Sequence, residues 1–92
     1  MVWRIEIAPA AIKELDKLDR PTAQRILTFL QKRIAPLKDP RSIGDALKGP
    51  IFGEYWRYRV GDFRIIVRIE NDVLLILVLR VGHRKYVYKQ KP

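Results

Sequence analysis

Apolar and polar residues alternate along two short runs that flank the pair Gly61-Asp62. Alternation with a period of two is typical of a half-buried β-strand, and a glycine-containing pair between two such runs favours a tight hairpin. With this pair as the loop, Arg59 stands opposite Arg64 and Val60 opposite Phe63. One face of the predicted hairpin carries Tyr55, Arg57, Arg59, Arg64 and Arg68, and the other face carries Trp56, Tyr58, Ile65 and Val67.

The polar face of this hairpin therefore groups four arginines. Like charges directly opposite each other destabilise a sheet, so the grouping indicates an anionic partner. For any single arginine the simpler interpretation is a solvated strand residue, or one paired with Glu54 or Glu70. Four arginines on one face favour an anionic ligand over this simpler interpretation.

Apolar residues at helical spacing follow the N-terminal strand. Pro9 stands where helices commonly begin, and the apolar stripe that follows predicts a first helix over about residues 9–18. Asp19 is a suitable N-cap for a second helix, which Pro36 ends. Two helices joined so closely are expected to pack as an antiparallel pair.

The remaining pattern predicts strands and one loop. Residues 2–7 alternate as a half-buried strand with its odd-numbered side chains inward, and residues 63–70 end at the turn signal Asn71-Asp72. Residues 73–80 are nearly all apolar, which predicts a central strand covered on both sides. Val81-Gly82 is expected to break that strand, and residues 37–53 are predicted to form a loop.

These elements predict an α+β fold in the order β-α-α-β-β-β. The last three strands form an antiparallel meander, and the first strand joins it to give a mainly antiparallel four-stranded sheet. Both helices cover the Trp56 and Tyr58 side of the hairpin. The arginine side then stays open to a ligand. Residues 1–92 are expected to form a single domain.

Composition agrees with an anionic partner. The chain of 92 residues has a formal net charge of +9 and 48% hydrophobic residues, enough for a real core. Residues 1–46 hold nine Lys/Arg against six Asp/Glu, and residues 47–92 hold ten against four, so the excess lies mainly in the second half. The alternative is a basic surface kept for solubility. No signal peptide or membrane span is expected, and the absence of Cys fits the cytoplasm.

Few kinds of catalytic site are compatible with this chain. It has no Cys, one His and no clustered carboxylates, so neither a metal site nor a cofactor is expected. It has no Walker-type phosphate loop, and its single serine, Ser42, lies in no motif. What remains is the arginine side of the hairpin beside a tail that carries His83, Arg84, Tyr86 and Tyr88.

Arginine and tyrosine together suit single-stranded RNA, because guanidinium groups bind phosphate and tyrosine rings stack on bases. The same groups can cut RNA without metal, by attack of a 2′-OH on the adjacent phosphate. Preorganised guanidinium groups would stabilise the charge that develops. Tyr88 and His83 are the candidates for proton transfer. In the simpler interpretation His83 is a solvent-facing loop residue, and Tyr86 and Tyr88 close the edge of the sheet.

The element order resembles that of the RelE/ParE toxin superfamily of toxin–antitoxin systems. The specific part of the resemblance lies in the runs Leu47-Lys48-Gly49 and Trp56 to Ile66 and in the ending Val81-Gly82-His83-Arg84 with Tyr88. The resemblance implies a small toxin neutralised by a cognate antitoxin that wraps around it. Members of the RelE branch cleave mRNA in the ribosomal A site, without metal, by 2′-OH attack.

The resemblance also implies roles for single residues. Arg64 and Arg84 match the phosphate-binding and catalytic arginines, and Tyr88 matches the C-terminal tyrosine. Arg57 and Tyr55 stand where the best-known members have lysines, so this chain has one positive charge fewer at the scissile phosphate. His83, which many relatives share, is a further catalytic candidate. The expected RNA-binding residues are Arg59, Arg68, Tyr55, Lys85, Lys89 and Lys48.

Two other functions remain open at the level of sequence. The ParE branch shares the fold but poisons DNA gyrase, and it generally lacks the ending with arginine and tyrosine, so Arg84 and Tyr88 favour the RNA-cleaving branch. A plain RNA-binding module would bind RNA in a salt-sensitive way without cleavage or toxicity. For a toxin, an acidic antitoxin segment is expected to lie on the arginine side or over the tail and to displace Arg84 or Tyr88.

Overall fold

A computed structural model describes residues 2–47 and 54–89 of the chain, without the side chain of Lys89. Within these residues an α+β fold is formed by five strands and two helices. The strands are β1 (Arg4–Ile7), β2 (Asp45–Ala46), β3 (Trp56–Val60), β4 (Phe63–Glu70) and β5 (Leu75–His83). The helices are α1 (Pro9–Asp16) and α2 (Arg20–Thr28), and α2 continues as a π-helical segment over Phe29–Ile34. Short 3₁₀ turns span Pro40–Ile43 and Val87–Lys89.

The strands form one sheet in the order β1-β5-β4-β3-β2. β1 runs parallel to β5, and the other pairs are antiparallel. The α+β class and the mainly antiparallel sheet are therefore confirmed. The sheet has a fifth strand, because Asp45 and Ala46, which lie within the predicted loop, pair with Arg57 and Trp56. A strand of two residues shows no period that could be read from sequence.

The central hairpin has the predicted register. Val60 pairs with Phe63, Arg59 with Arg64 and Arg57 with Ile66. Gly61 has a φ of 59°, a left-handed conformation that glycine adopts without steric cost at the first residue of a two-residue turn. This hairpin places Arg57, Arg59 and Arg64 on one face of the sheet.

The last strand differs from its prediction. It begins at Leu75, and Val81-Gly82 does not break it, because Gly82 pairs with Arg64 and the strand runs on to His83. A Cβ built on Gly82 would lie 3.4 Å from the Cβ of Val87, an ordinary van der Waals contact, so a small residue at this position lets the chain fold back over the strand. β5 is an interior strand between β1 and β4, but Leu77 and Leu79 are only half-buried, so the expectation of full cover on both sides is wrong.

The hydrophobic core lies between the sheet and the helices, which occupy one face. Buried helix residues such as Leu15 and Ile26 meet buried strand residues such as Tyr58 and Val67, as predicted for this face. Asp19 caps α2 by accepting from the backbone N of Thr22 at 3.2 Å and from its hydroxyl at 2.7 Å. No helix within residues 2–47 and 54–89 is long and apolar enough to cross a bilayer.

Candidate functional site: an arginine face

The face of the sheet opposite the helices carries a group of arginines. Arg57 and Arg59 project from alternate positions of β3, and Arg59 pairs across the strands with Arg64. Arg84 follows directly after β5, and its backbone N–H donates to the carbonyl oxygen of Asp62 in the hairpin turn at 2.8 Å. We call the surface formed by Arg57, Arg59, Arg64 and Arg84 the arginine face.

The C-terminal segment folds onto this face. Gly82 pairs with Arg64 and shares its side of the sheet, and Val87, which is buried, packs against Gly82 there. The next residue, Tyr88, is half-buried, and its Oη accepts a hydrogen bond from Nη1 of Arg57 at 3.1 Å. A strand residue and a tail residue 31 positions apart are thus brought into direct contact.

Arg57 is more enclosed than Arg59 and Arg84, with 23% of its side chain exposed against 60% and 57%. Its Nη2 donates to Oδ2 of Asp45 at 3.2 Å. The hydrogen bond with Tyr88, and to a smaller extent the bond with Asp45, raises the pKa of Arg57 above its ordinary value. Nε of Arg57 is buried and has no hydrogen-bond partner among the described residues. Arg57 is therefore a permanent cation that still has one unused donor.

Asp45 belongs to the site and was missed in the sequence. Its Oδ2 lies 3.2 Å from Nη2 of Arg57 and 3.6 Å from Nε of Arg59, so that one carboxylate bridges two guanidinium groups. An incoming phosphate would meet the same two cations. No sequence signal marked this residue, because its position depends on the pairing of β2 with β3.

Arg64 and Arg84 converge on the hairpin turn. Nη1 of Arg64 donates to the carbonyl oxygens of Gly61 and Phe63, both at 2.9 Å. Nε of Arg84 lies 3.8 Å from Oδ1 of Asp62, and 57% of the Arg84 side chain is exposed. Bonds to carbonyl oxygens leave the positive charge of Arg64 uncompensated. These two residues therefore add positive potential at one end of the arginine face.

His83, a candidate for proton transfer, does not reach the arginine face. It pairs with Phe63, and the two rings meet edge to face with centroids 5.8 Å apart on the side of the sheet that the helices cover. Its Nδ1 accepts a hydrogen bond from the backbone N of Lys85 at 3.2 Å. Strand alternation explains the placement, because Gly82 and Arg64 occupy the opposite face.

The remaining predicted RNA-binding residues are more dispersed. Nε of Arg68 forms an ion pair with Oε1 of Glu70 at 2.6 Å, at the end of β4 away from the hairpin turn. Tyr55 is half-buried just before β3, and Lys85 is exposed in the turn after β5. Lys48 and the side chain of Lys89 lie outside the described residues. No three His, Asp or Glu side chains of the described residues lie close enough to hold a metal ion.

Comparison with known proteins gives one family and several similar structures. Residues 5–88 match the family model described as the ParE toxin of the type II toxin–antitoxin system parDE. The curated protein Toxin RelG of Mycobacterium tuberculosis is 23% identical over 90 residues, which cover 98% of this chain and 100% of that protein.

Among solved structures, a chain of the toxin–antitoxin complex RelBE2 from Mycobacterium tuberculosis has a TM-score of 0.83 at 21% identity, over 91% of this chain and 93% of that chain. A chain of the archaeal RelE–RelB complex from Pyrococcus horikoshii has a TM-score of 0.66 at 26% identity, over 95% of this chain and 100% of that chain. The similarity extends over nearly the whole chain and agrees with the fold described above.

Proposed function

Because the chain belongs to the ParE toxin family of type II toxin–antitoxin systems, within the RelE/ParE toxin superfamily, we propose that it is a metal-independent endoribonuclease. Its substrate is mRNA in the ribosomal A site, and cleavage there inhibits translation. The observation that carries the proposal is the contact between Arg57 and Tyr88 on the arginine face, where Arg59 and Arg64 supply further positive charge.

The electrostatics of the arginine face suit phosphodiester cleavage. When a 2′-OH attacks the adjacent phosphate, negative charge builds up on the phosphoryl oxygens. Arg57 stabilises that charge and does not act as the proton donor, because its raised pKa keeps it charged. One preorganised donor of this kind typically contributes about 3–4 kcal/mol to the transition state.

The roles of the other residues follow from the bonds that form and break. The 2′-oxygen forms a bond to phosphorus, and the bond from phosphorus to the 5′-oxygen breaks. Tyr88, whose hydroxyl is held by Arg57 at the edge of the positive face, either orients the 2′-OH, whose proton then passes to solvent, or takes up that proton while releasing its own to solvent. Arg64 and Arg84 neutralise the phosphate from the side of the hairpin turn. The 5′-oxygen takes up a proton from solvent.

The proposed protein partner is a cognate antitoxin. The similar chains from Mycobacterium tuberculosis and Pyrococcus horikoshii come from toxin–antitoxin complexes. An antitoxin segment with acidic side chains can cover the arginine face or lift the C-terminal segment from it. Either change would separate Tyr88 from Arg57 or block the phosphate.

Toeprinting in a purified translation system tests the nuclease. The wild type is expected to cut mRNA in the A site, and Arg57→Ala and Arg64→Ala are expected to cut it at least a hundredfold more slowly. Arg4→Ala is the matched control, because it removes one positive charge from β1, at the opposite edge of the sheet. Equal cleavage by all four proteins would disprove the proposed site.

The second candidate is a gyrase inhibitor that performs no catalysis. The description of the matched family as the ParE toxin favours it, and the Arg57–Tyr88 contact favours the nuclease. Inhibition of supercoiling by the purified protein, with translation unaffected, would establish this alternative.

A further inference from the structure

A second basic surface lies on the helix side of the hairpin. A groove with a volume of about 470 Å³ runs between α2 with its π-helical extension and the edge of β3. We call it the basic groove and define it by Arg25, Phe29, Lys32, Arg33, Arg59 and Val60. Four of these six residues are cations.

Three of these cations have no counterion among the described residues. No carboxylate of the described residues forms an ion pair with Arg25, Lys32 or Arg33, whereas the arginines of β1, β3 and β5 are paired, as in the contact of Arg4 with Glu6. All three side chains are exposed. Like charges grouped without counterions repel each other, so the groove suits an anionic ligand.

Helical geometry places these cations on one side. Arg25 lies four residues before Phe29, and Lys32 and Arg33 follow within one further turn, so the four residues share a face of the helix. Ile26 and Leu30 point into the core instead. Phe29 and Val60 contribute apolar side chains to the lining of the groove. Cations beside an aromatic ring are the arrangement that binds phosphates together with the faces of bases.

The basic groove is continuous with the arginine face. A Cβ built on Gly61 would lie 3.2 Å from Nη1 of Arg25, and the carbonyl oxygen of the same glycine accepts from Nη1 of Arg64. Guanidinium groups from the two surfaces therefore meet at one turn residue. β2 pairs only with Trp56 and Arg57 in the described residues, so no strand covers the edge of β3 at Arg59, which borders both surfaces.

We propose that the basic groove binds the stretch of the mRNA strand that flanks the nucleotide held on the arginine face. A strand that leaves the arginine face at the hairpin turn meets Arg25 next and then Lys32 and Arg33. This inference rests on the proposed nuclease function and extends it, because it makes affinity depend on the length of the RNA. Continuity through Gly61 favours this occupant over a separate anionic partner.

Binding of short RNAs tests the proposal. The probes are a fluorescent trinucleotide and a fluorescent dodecanucleotide, both fully 2′-O-methylated so that they cannot be cut, titrated with the antitoxin-free protein over a range of salt concentrations. The test variant is Arg25→Gln/Lys32→Gln/Arg33→Gln. The control Lys13→Gln/Lys17→Gln/Arg20→Gln removes the same charge from α1, from its C-cap and from the start of α2, outside the groove. Thermal unfolding verifies that both variants fold.

The groove variant is expected to bind the dodecanucleotide at least tenfold more weakly at low salt. Its slope of log affinity against log salt should fall by about 2, since each phosphate contact to a single strand contributes about 0.7. Binding of the trinucleotide should not change. Equal losses in the two triple variants would overturn the proposal, because they would indicate only general attraction. Unchanged binding of the dodecanucleotide, with weaker binding of purified ribosomal RNA or antitoxin, would overturn it in favour of that other occupant.

A failure of the nuclease proposal would look different. Arg57→Ala should weaken binding of both RNAs, whereas the groove variant should affect only the longer one. If the wild type fails to cut mRNA but the groove variant still selectively weakens the dodecanucleotide, the groove is an RNA site and the cleavage proposal is wrong. If mRNA is cut and the groove variant binds like the wild type, only the groove proposal is wrong.

Discussion

Replacing Tyr88 with phenylalanine removes a single oxygen from the proposed site. That oxygen accepts a hydrogen bond from Nη1 of Arg57 at 3.1 Å, so Tyr88→Phe leaves a charged and largely enclosed group without one of its partners. Hydrogen bonds to charged groups contribute about 1.5–3 kcal/mol. The lower end is expected here, about 1.5 kcal/mol, because Arg57 keeps its bond to Asp45 and is partly solvated.

The effect on cleavage should be larger than the effect on stability. A group that takes part in proton transfer typically contributes about 100- to 10,000-fold to the rate. Single-turnover cleavage of ribosome-bound mRNA should therefore slow by about that factor in Tyr88→Phe. Binding to the programmed ribosome should change only a few-fold, because the positive charge of the arginine face is intact.

A double-mutant cycle and a matched control make this prediction refutable. Tyr86→Phe removes the same atom two residues earlier, from a residue that is 62% exposed and whose ring contacts that of His83, and this variant should cleave at the wild-type rate. If Arg57 and Tyr88 act as a unit, the double variant Arg57→Ala/Tyr88→Phe should be little slower than the slower single variant. Wild-type cleavage by Tyr88→Phe, or losses that simply add in the double variant, would show that Arg57 and Tyr88 do not act together in cleavage.

Three further predictions concern the arginine face and the sheet that carries it. Asp45→Asn should bind RNA several-fold more tightly in anisotropy titrations, because it removes the carboxylate that compensates two guanidinium groups; weaker binding would contradict this. Tyr58→Phe should lower the free energy of unfolding by about 1–3 kcal/mol in urea, since the hydroxyl of Tyr58 donates to the buried carbonyl oxygen of Pro40. Burial also raises the pKa of Tyr58. Above a pH of about 10 the Tyr58 hydroxyl therefore ionises in the unfolded chain before it does so in the folded one, and the wild type should lose stability as the pH rises further. Tyr58→Phe should lack this pH-dependent loss. Gly82→Ala should cleave mRNA normally, whereas Gly82→Leu should displace Val87 and abolish cleavage, because only the larger side chain exceeds the available space. Gly82→Leu should still unfold cooperatively. Equal cleavage by both variants would show that packing of Val87 on Gly82 does not matter for cleavage.

The local pattern of the sequence was sufficient to predict much of the fold. The hairpin register followed from alternation on both sides of Gly61-Asp62, because a shift of one residue would place the apolar side chains in water. Asp19 marked the start of α2, since its carboxylate is suited to the free N–H groups there. The α+β class followed from the order of these elements. The grouping of Arg57, Arg59 and Arg64 on one face was therefore present in the sequence itself.

The composition of the candidate site depended on contacts between distant segments. Asp45 joined it because an edge strand of two residues paired with β3, and Tyr88 joined it because the chain folded back over Gly82. His83 lies apart from the arginine face because β5 continues through Gly82 and turns the histidine towards Phe63. Tyr88, 31 positions after Arg57, and Asp45, 12 positions before it, both contact the side chain of Arg57. Alternation and capping describe neighbours along the chain, and only the packing of the complete sheet determines which distant side chains meet.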